Sequence, residues 1–195
     1  DSESKAIIVS TGFQLNKVQK VWKNCKHLKY IIILNEHEDI TANEQLFTFK
    51  QIQEKGKSIQ KNNPDLLKKF SAGIKGDDVC TIIYTSGTTG EPKGVILTHE
   101  NIISNVNAVL DVYPITKEDV FLSFLPLCHI FERMGGYYTA FAAGCTVYYA
   151  ESIEKVATNL LEARPTLMTS VPRLFERIQS RIIKNVESQS VTKQK

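Results

Sequence analysis

The sequence predicts an α/β fold with mostly parallel sheet layers and flanking helices, on three observations. Short apolar runs alternate with helix-period segments along almost the whole chain, the pattern of strands joined by helical crossovers. The run Tyr30-Ile31-Ile32-Ile33-Leu34 is too uniformly apolar for an edge strand. A further run, Val79-Cys80-Thr81-Ile82-Ile83, leads directly into a stretch dense in glycine and hydroxyl side chains.

Taken in order, Ala6-Ile7-Ile8-Val9 reads as a short buried strand. Gly12 and Asn16 then flank the start of an amphipathic stretch with Leu15, Val18, Val21 and Trp22 on one face. Tyr30 to Leu34 is the second strand. Residues 41–59 are polar and become helix-prone in their later part, with Phe47, Phe49 and Ile52 as anchors. Asn62-Asn63-Pro64 breaks that segment, and Leu66, Leu67 and Phe70 begin a short helix. Beyond the strand at 79–83 and the bend after it, Thr98 suits the N-cap of a helix over about 100–110. Residues 120–125 read as a strand ending at Pro126, and 130–141 as a helix in which Gly135 and Gly136 allow close packing on a sheet. A strand at 146–149, a helix at 153–163 and a strand at 166–169 follow. Pro172 sits at the first turn of a last helix bearing Leu174, Phe175, Ile178 and Ile182 on one face. Residues 187–195 form a frayed polar tail.

Composition bounds the function. A hydrophobic fraction of 42% and a charged fraction of 23% give a globular chain with a real core. The net charge of +3, spread among interspersed acids and bases, argues against nucleic acid as a partner. Cys25, Cys80, Cys128 and Cys145 show no short paired spacing, which argues against zinc and a disulfide scaffold and suits a reducing compartment. No apolar run approaches bilayer length, and no signal peptide is evident. The chain opens at Asp1 without a methionine, so it reads as cut from something longer.

The chemistry concentrates in Tyr84-Thr85-Ser86-Gly87-Thr88-Thr89-Gly90-Glu91-Pro92-Lys93-Gly94. Glycines let a backbone turn tightly and bring its N–H groups to an anion. The Ser and Thr hydroxyls add donors and can ligate a hard cation. Lys93 adds a full positive charge. A strand entering such a bend, with a helix beyond, predicts a cradle for nucleotide phosphates. It is not a Walker A loop, because Pro92 precedes the lysine and Gly94 follows it, leaving no metal-binding hydroxyl beside Lys93. The competing reading is an ordinary Gly/Thr-rich turn between strand and helix.

Residues 84–95, YTSGTTGEPKGV, resemble the phosphate-loop signature of the acyl-adenylate-forming superfamily. Residues 124–133, FLPLCHIFER, resemble the LPLxHxFER block of long-chain fatty acyl-CoA synthetases, and 166–177, TLMTSVPRLFER, is similar to a third stretch of that branch. The resemblance covers roughly 75–183. It implies an AMP-forming ligase that activates a fatty acid with ATP and Mg²⁺ to acyl-AMP and passes the acyl group to coenzyme A. It implies that Thr85, Ser86, Gly87, Thr88, Thr89 and Gly90 cradle the phosphates, that Thr85 contacts Mg²⁺, and that Lys93 steadies the departing pyrophosphate. It implies His129 beside the fatty-acid carboxylate, with Phe131, Glu132 and Arg133 on the substrate side. Arg133 falls near the position where some relatives gate the acyl tunnel with an aromatic. Lys93 as a solvent-facing loop lysine and His129 as a buried residue holding its own loop stand as alternatives.

Arg173, Arg177 and Arg181 share one face of the last helix, either as a solvated surface or as a dock for anionic lipid or coenzyme A phosphates. The family's later motifs, for adenine stacking, ribose binding, the hinge and the C-terminal lysine, are missing. Residues 1–186 are therefore expected to be part of the family's large N-terminal domain, without its C-terminal domain, inactive alone and drawn from a cytoplasmic enzyme open to membrane association. A non-catalytic nucleotide- or lipid-binding relative is the alternative from another class. A ligase for another carboxylic acid is the alternative within the same class.

Overall fold

The structure is a computed structural model that describes residues 2–35, 43–87 and 90–187. It divides into two compact units, Asp1–Asp78 with Ser86–Gly94, and Val79–Thr85 with Val95–Lys195. Each unit is described by itself.

In the first unit, β1 (Ala6–Val9), β2 (Tyr30–Ile33) and β3 (Leu46–Thr48) form a parallel sheet in that order. The central place of β2 agrees with its apolar sequence, but only one face of this sheet is buried. Ile31, Ile33 and Val9 are buried, whereas Ile8 is 60% exposed and Tyr30 is exposed. Helix α1 (Gly12–Val21) lays Leu15 and Val18 on the buried face, with Leu46 completing the core and Ile7, Trp22 and Leu28 packed around it. The amide of Gln14 donates to the Thr11 hydroxyl and so caps α1. Helix α2 (Phe49–Asn62) starts at a capping box. The Gln51 amide donates to the Thr48 hydroxyl, and the Thr48 amide donates to the Gln51 side chain. Helix α3 (Leu66–Ala72) follows the break at Pro64.

Strand β3 was not foreseen: Phe47, expected to anchor a helix, belongs to a three-residue strand. The earlier part of the expected 41–59 segment, at 41–42, lies outside the described residues.

The second unit opens with β4 (Val79–Thr85), paired with β5 (Lys93–Thr98). The bend after β4 therefore connects two strands, and the helix expected directly beyond it comes only after β5. That helix, α4 (His99–Val112), has Thr98 as its N-cap in a second capping box with Asn101. Strand β6 (Val120–Ser123) pairs in parallel with β7 (Thr146–Tyr149). It stops two residues short of the expected end. The expected strand at 166–169 is reduced to one parallel bridge, Phe121 with Leu167. Thr166 is diverted to holding the start of β6, where its hydroxyl donates to Asp119 at 2.7 Å and accepts from the Val120 amide at 3.0 Å.

The helix expected over 130–141 is instead a π-helix, Glu132–Tyr138, continued by α5 (Thr139–Ala143). Gly144, in the left-handed region at φ 73°, ends α5. Helices α6 (Val156–Ala163) and α7 (Pro172–Glu187) complete the unit. Leu122, Val156 and Leu174 form its core, with Phe124, Leu160, Met168 and Ile178 against them. Of the expected apolar face of α7, Leu174 is buried, while Phe175 and Ile182 are exposed. The four cysteines carry no disulfide. The expected tail lies outside the described residues beyond Glu187.

Candidate functional site

Seven residues of largely apolar sequence carry β4 to Thr85, its last position, whose side chain is exposed. Ser86, Glu91 and Lys93 are exposed, and Lys93 is the first residue of β5. Gly90 has φ +86°, a conformation L side chains rarely adopt, and a Cβ placed there would meet nothing within 4 Å. Backbone geometry, not crowding, requires glycine at this point. Among the described residues of the bend, the Gly90 amide donates to the Gly87 carbonyl at 3.1 Å. Thr88 and Thr89 lie outside the described residues. Thr85 belongs to the second unit, and Ser86, Gly87, Gly90 and Lys93 to the first.

The second motif is built on a helical turn. The His129 amide donates to the Pro126 carbonyl at 3.0 Å, and the Arg133 amide donates to the His129 carbonyl at 3.1 Å. This turn leaves the imidazole of His129 exposed and runs straight into the π-helix. π-Helical turns are rare and occur often at functional sites. Phe131 is 52% exposed, and its two successors turn away from solvent in different directions. Arg133 is half-buried, and its Nη1 donates to the Thr81 hydroxyl at 2.9 Å. Thr81 lies on β4, four residues before Thr85, a separation of about 13 Å along an extended strand. The histidine turn and the strand that ends at Thr85 are thus joined by a charge-assisted hydrogen bond.

Glu132 is 1% exposed. Burial pushes its carboxyl above the ordinary carboxylate range, and the nearby Ser123 hydroxyl offsets only part of that. Neither carboxyl oxygen makes a hydrogen bond of good geometry among the described residues. Tyr149 is pushed up as well, by burial first, then by Tyr137 and Glu132.

Of the expected site residues, the structure brings His129, Phe131, Glu132 and Arg133 onto one continuous turn and ties that turn to the strand carrying Thr85. Thr81, Ser123 and Ser170 were not foreseen. Thr81 was legible only as a hydroxyl inside an apolar strand, and nothing in local spacing marks the other two. Among the described residues no group of three or more His, Cys, Asp or Glu could hold a metal.

A model of the family described as AMP-binding enzyme matches residues 1–195. Long chain acyl-CoA synthetase 6, peroxisomal, of Arabidopsis thaliana is 43% identical over 121 residues, covering 62% of this chain and 17% of its own length. Long-chain-fatty-acid–CoA ligase ACSBG1 of Bos taurus is 32% identical over 189 residues, covering 93% of this chain and 26% of its own length. The chain thus spans about a quarter or less of these relatives. Among solved structures, a putative long-chain-fatty-acid CoA ligase from Rhodopseudomonas palustris aligns with TM-score 0.69 at 17% identity, over 91% of this chain and 41% of that one. ATP-bound MatB from the same organism aligns with TM-score 0.62 at 22% identity, over 91% and 31%. At these identities the structures establish the fold, that of adenylate-forming enzymes.

Proposed function

Because the chain belongs to the AMP-binding enzyme family, we propose that it supplies the phosphate-holding bend and the acid-side turn of an AMP-forming long-chain fatty acyl-CoA synthetase. In the first step a carboxylate oxygen of the fatty acid attacks the α-phosphorus of MgATP. The bond from that phosphorus to the bridging oxygen breaks, and pyrophosphate leaves. In the second, the thiol of coenzyme A loses its proton and attacks the acyl carbon, and AMP departs.

The single observation that carries the reading is the Arg133–Thr81 hydrogen bond, which fixes the His129 turn to the strand ending at Thr85. A weak carboxylate nucleophile approaching a polyanion needs alignment and charge neutralisation more than it needs a strong base. One strand that carries a phosphate-contacting hydroxyl and anchors the acid-side histidine meets the first need. Thr85, Ser86, Gly87, Thr88, Thr89 and Gly90 hold the β- and γ-phosphates through amides and hydroxyls, and Lys93 draws charge from the departing pyrophosphate. Thr85 contributes a hydroxyl to the Mg²⁺ that accompanies ATP. His129 orients the carboxylate, and Phe131 contributes apolar surface on the acyl side. Residues 1–186 belong, in this reading, to the large N-terminal domain of the enzyme.

Long-chain acids partition out of water, and among the described residues no helix is long and apolar enough to cross a membrane. Peripheral attachment of the whole protein to a membrane facing the cytoplasm is therefore part of the proposal. The test is fatty-acid-dependent exchange of pyrophosphate into ATP, on this sequence completed to the length of its relatives. Exchange with long-chain acids is the expected result. No exchange with any chain length would refute it.

A further inference from the structure

Glu132 is the one acidic residue among the described residues whose side chain is buried, and the reaction proposed above does not use it. It opens the π-helix three residues after His129. Its carboxyl lies against three separate segments. Ser123, 5% exposed at the last position of β6, faces it from the strand. Gly136, one turn on, packs so closely that an added Cβ would stand 2.7 Å from Glu132 Oε1 and 3.1 Å from Thr169 Oγ1. Carboxyl and threonine hydroxyl thus converge on one point. Next to Thr169, the Ser170 hydroxyl is buried and, like both Glu132 oxygens, has no partner of good geometry among the described residues.

The titratable group facing the carboxyl is Tyr149 on β7, which Tyr137 of the π-helix also faces. The ion pair among the described residues is Lys117 with Glu118, far out on the surface, so no cation pairs with Glu132. Its sequence neighbour Arg133 is turned away to Thr81. An ionised carboxylate with neither water nor cation is the most expensive group a protein can bury. The acid form avoids that cost and carries an O–H donor, which serine and threonine hydroxyls can accept.

The geometry points to Glu132 as a positioning residue, a neutral buried acid that pins the π-helix to the end of β6 and to Thr169 and Ser170, and so fixes where His129 and Arg133 reach. The link to His129 is short and rigid, because the hydrogen bonds from His129 to Pro126 and from Arg133 to His129 make residues 126–133 one continuous turn. A π-helix persists only where its surroundings hold it. A carboxyl wedged between the end of β6, Thr169 and a glycine is such a hold. The inference rests on the function proposed above for the meaning of His129, but not for the state of Glu132.

The experiment compares wild type with Glu132→Gln, Glu132→Asp and Glu132→Ala in the sequence completed to the length of its relatives. Three kinds of measurement are made: urea stability from pH 5 to 9, the ring NMR signals of His129, and kcat with the KM for the fatty acid and for ATP. Gln keeps the shape and the donor of a neutral acid, so Glu132→Gln should hold kcat within about threefold of wild type and leave the His129 signals in place. Asp keeps the carboxyl but shortens the reach, and should displace the His129 signals and lower kcat about tenfold with little change in the KM for ATP. Wild type should lose stability relative to Glu132→Gln as pH rises. A carboxyl whose native pKa is raised contributes fully below its unfolded value and loses that contribution as pH climbs through the native one.

The inference is overturned if Glu132→Gln is damaged as badly as Glu132→Ala at neutral pH, since the negative charge would then be what the site needs. It is also overturned if Glu132→Asp leaves the His129 signals untouched. A protein that shows the expected stability and NMR pattern but no pyrophosphate exchange would refute the proposed function and leave this role of Glu132 standing.

Discussion

Gly136→Ala should destabilise the second unit, although alanine is ordinarily the better helix former. The added Cβ would lie 2.7 Å from Glu132 Oε1, 2.9 Å from Glu132 Cδ and 3.1 Å from Thr169 Oγ1, whereas ordinary contact begins at 3.4 Å. The end of a glutamate side chain usually yields to such an intruder at little cost. Here it cannot, because Glu132 is 1% exposed and Gly136 is itself buried. Forcing extra carbon into a packed interior costs about 1–3 kcal/mol. Replacing glycine in a helix returns about 0.5–1 kcal/mol. The net loss is about 1–2 kcal/mol, read as a lowered urea midpoint with the slope of the transition unchanged. A second substitution isolates the cause. In a Glu132→Ala background the carboxyl is gone, so Gly136→Ala should become neutral or stabilising, a coupling between the two sites of about 1 kcal/mol or more. Equal effects of Gly136→Ala in both backgrounds would refute the reasoning, because the glycine would then answer to something other than the carboxyl.

Thr81→Val keeps the strand and removes the hydroxyl, leaving the half-buried Arg133 guanidinium unpaired. It should cost about 1–2 kcal/mol in urea unfolding and slow pyrophosphate exchange in the completed protein. Lys93→Ala should slow that exchange about tenfold or more without changing stability, and an unchanged rate would clear the lysine of the role. Thr98→Ala removes one half of the capping box on α4 and should cost about 1 kcal/mol, read in the same denaturation assay. Asp119 is held below its ordinary value of 3.8 by the Thr116 amide first and the Thr166 hydroxyl second. Its contribution is therefore present above that value and lost as pH falls below it, so Asp119→Asn should flatten the acid limb of the stability profile.

The elements that local pattern decides were legible in the sequence. Thr98 announces its helix because an N-cap side chain and the residue three positions on suffice to start one. Pro172 likewise marks the first turn of α7. The bend after β4 was legible as a bend because Gly90 takes a positive φ of +86°, which glycine adopts readily. What local pattern could not decide was set by partners far along the chain. Residues 120–125 are all strand-formers or neutral, yet β6 ends at Ser123, where its pairing with β7 ends at Tyr149. Thr166 to Thr169 looks like a strand, yet only Leu167 bridges to Phe121, and the backbone bonds to β6 are confined to Thr166 and Leu167. Strand β5 was missed because Lys93 and Gly94 read as the end of a loop.

The π-helix shows how such a long-range cause reaches the site. Judged by helix propensity, Gly135 and Gly136 weaken the segment that follows His129. In the fold, Gly136 leaves the space that Glu132 occupies, and the wider turn of the π-helix lets consecutive side chains diverge. Phe131 faces outward, Glu132 points into the interior, and Arg133 reaches β4. An α-helix could also separate three neighbours around its axis. Under either winding Gly136, four residues on, faces Glu132, and a side chain there would drive the carboxyl from the interior and release its hold on the turn at His129. The apparent weakness in the sequence and the order of the candidate site therefore have one physical origin, a missing Cβ opposite a buried acid.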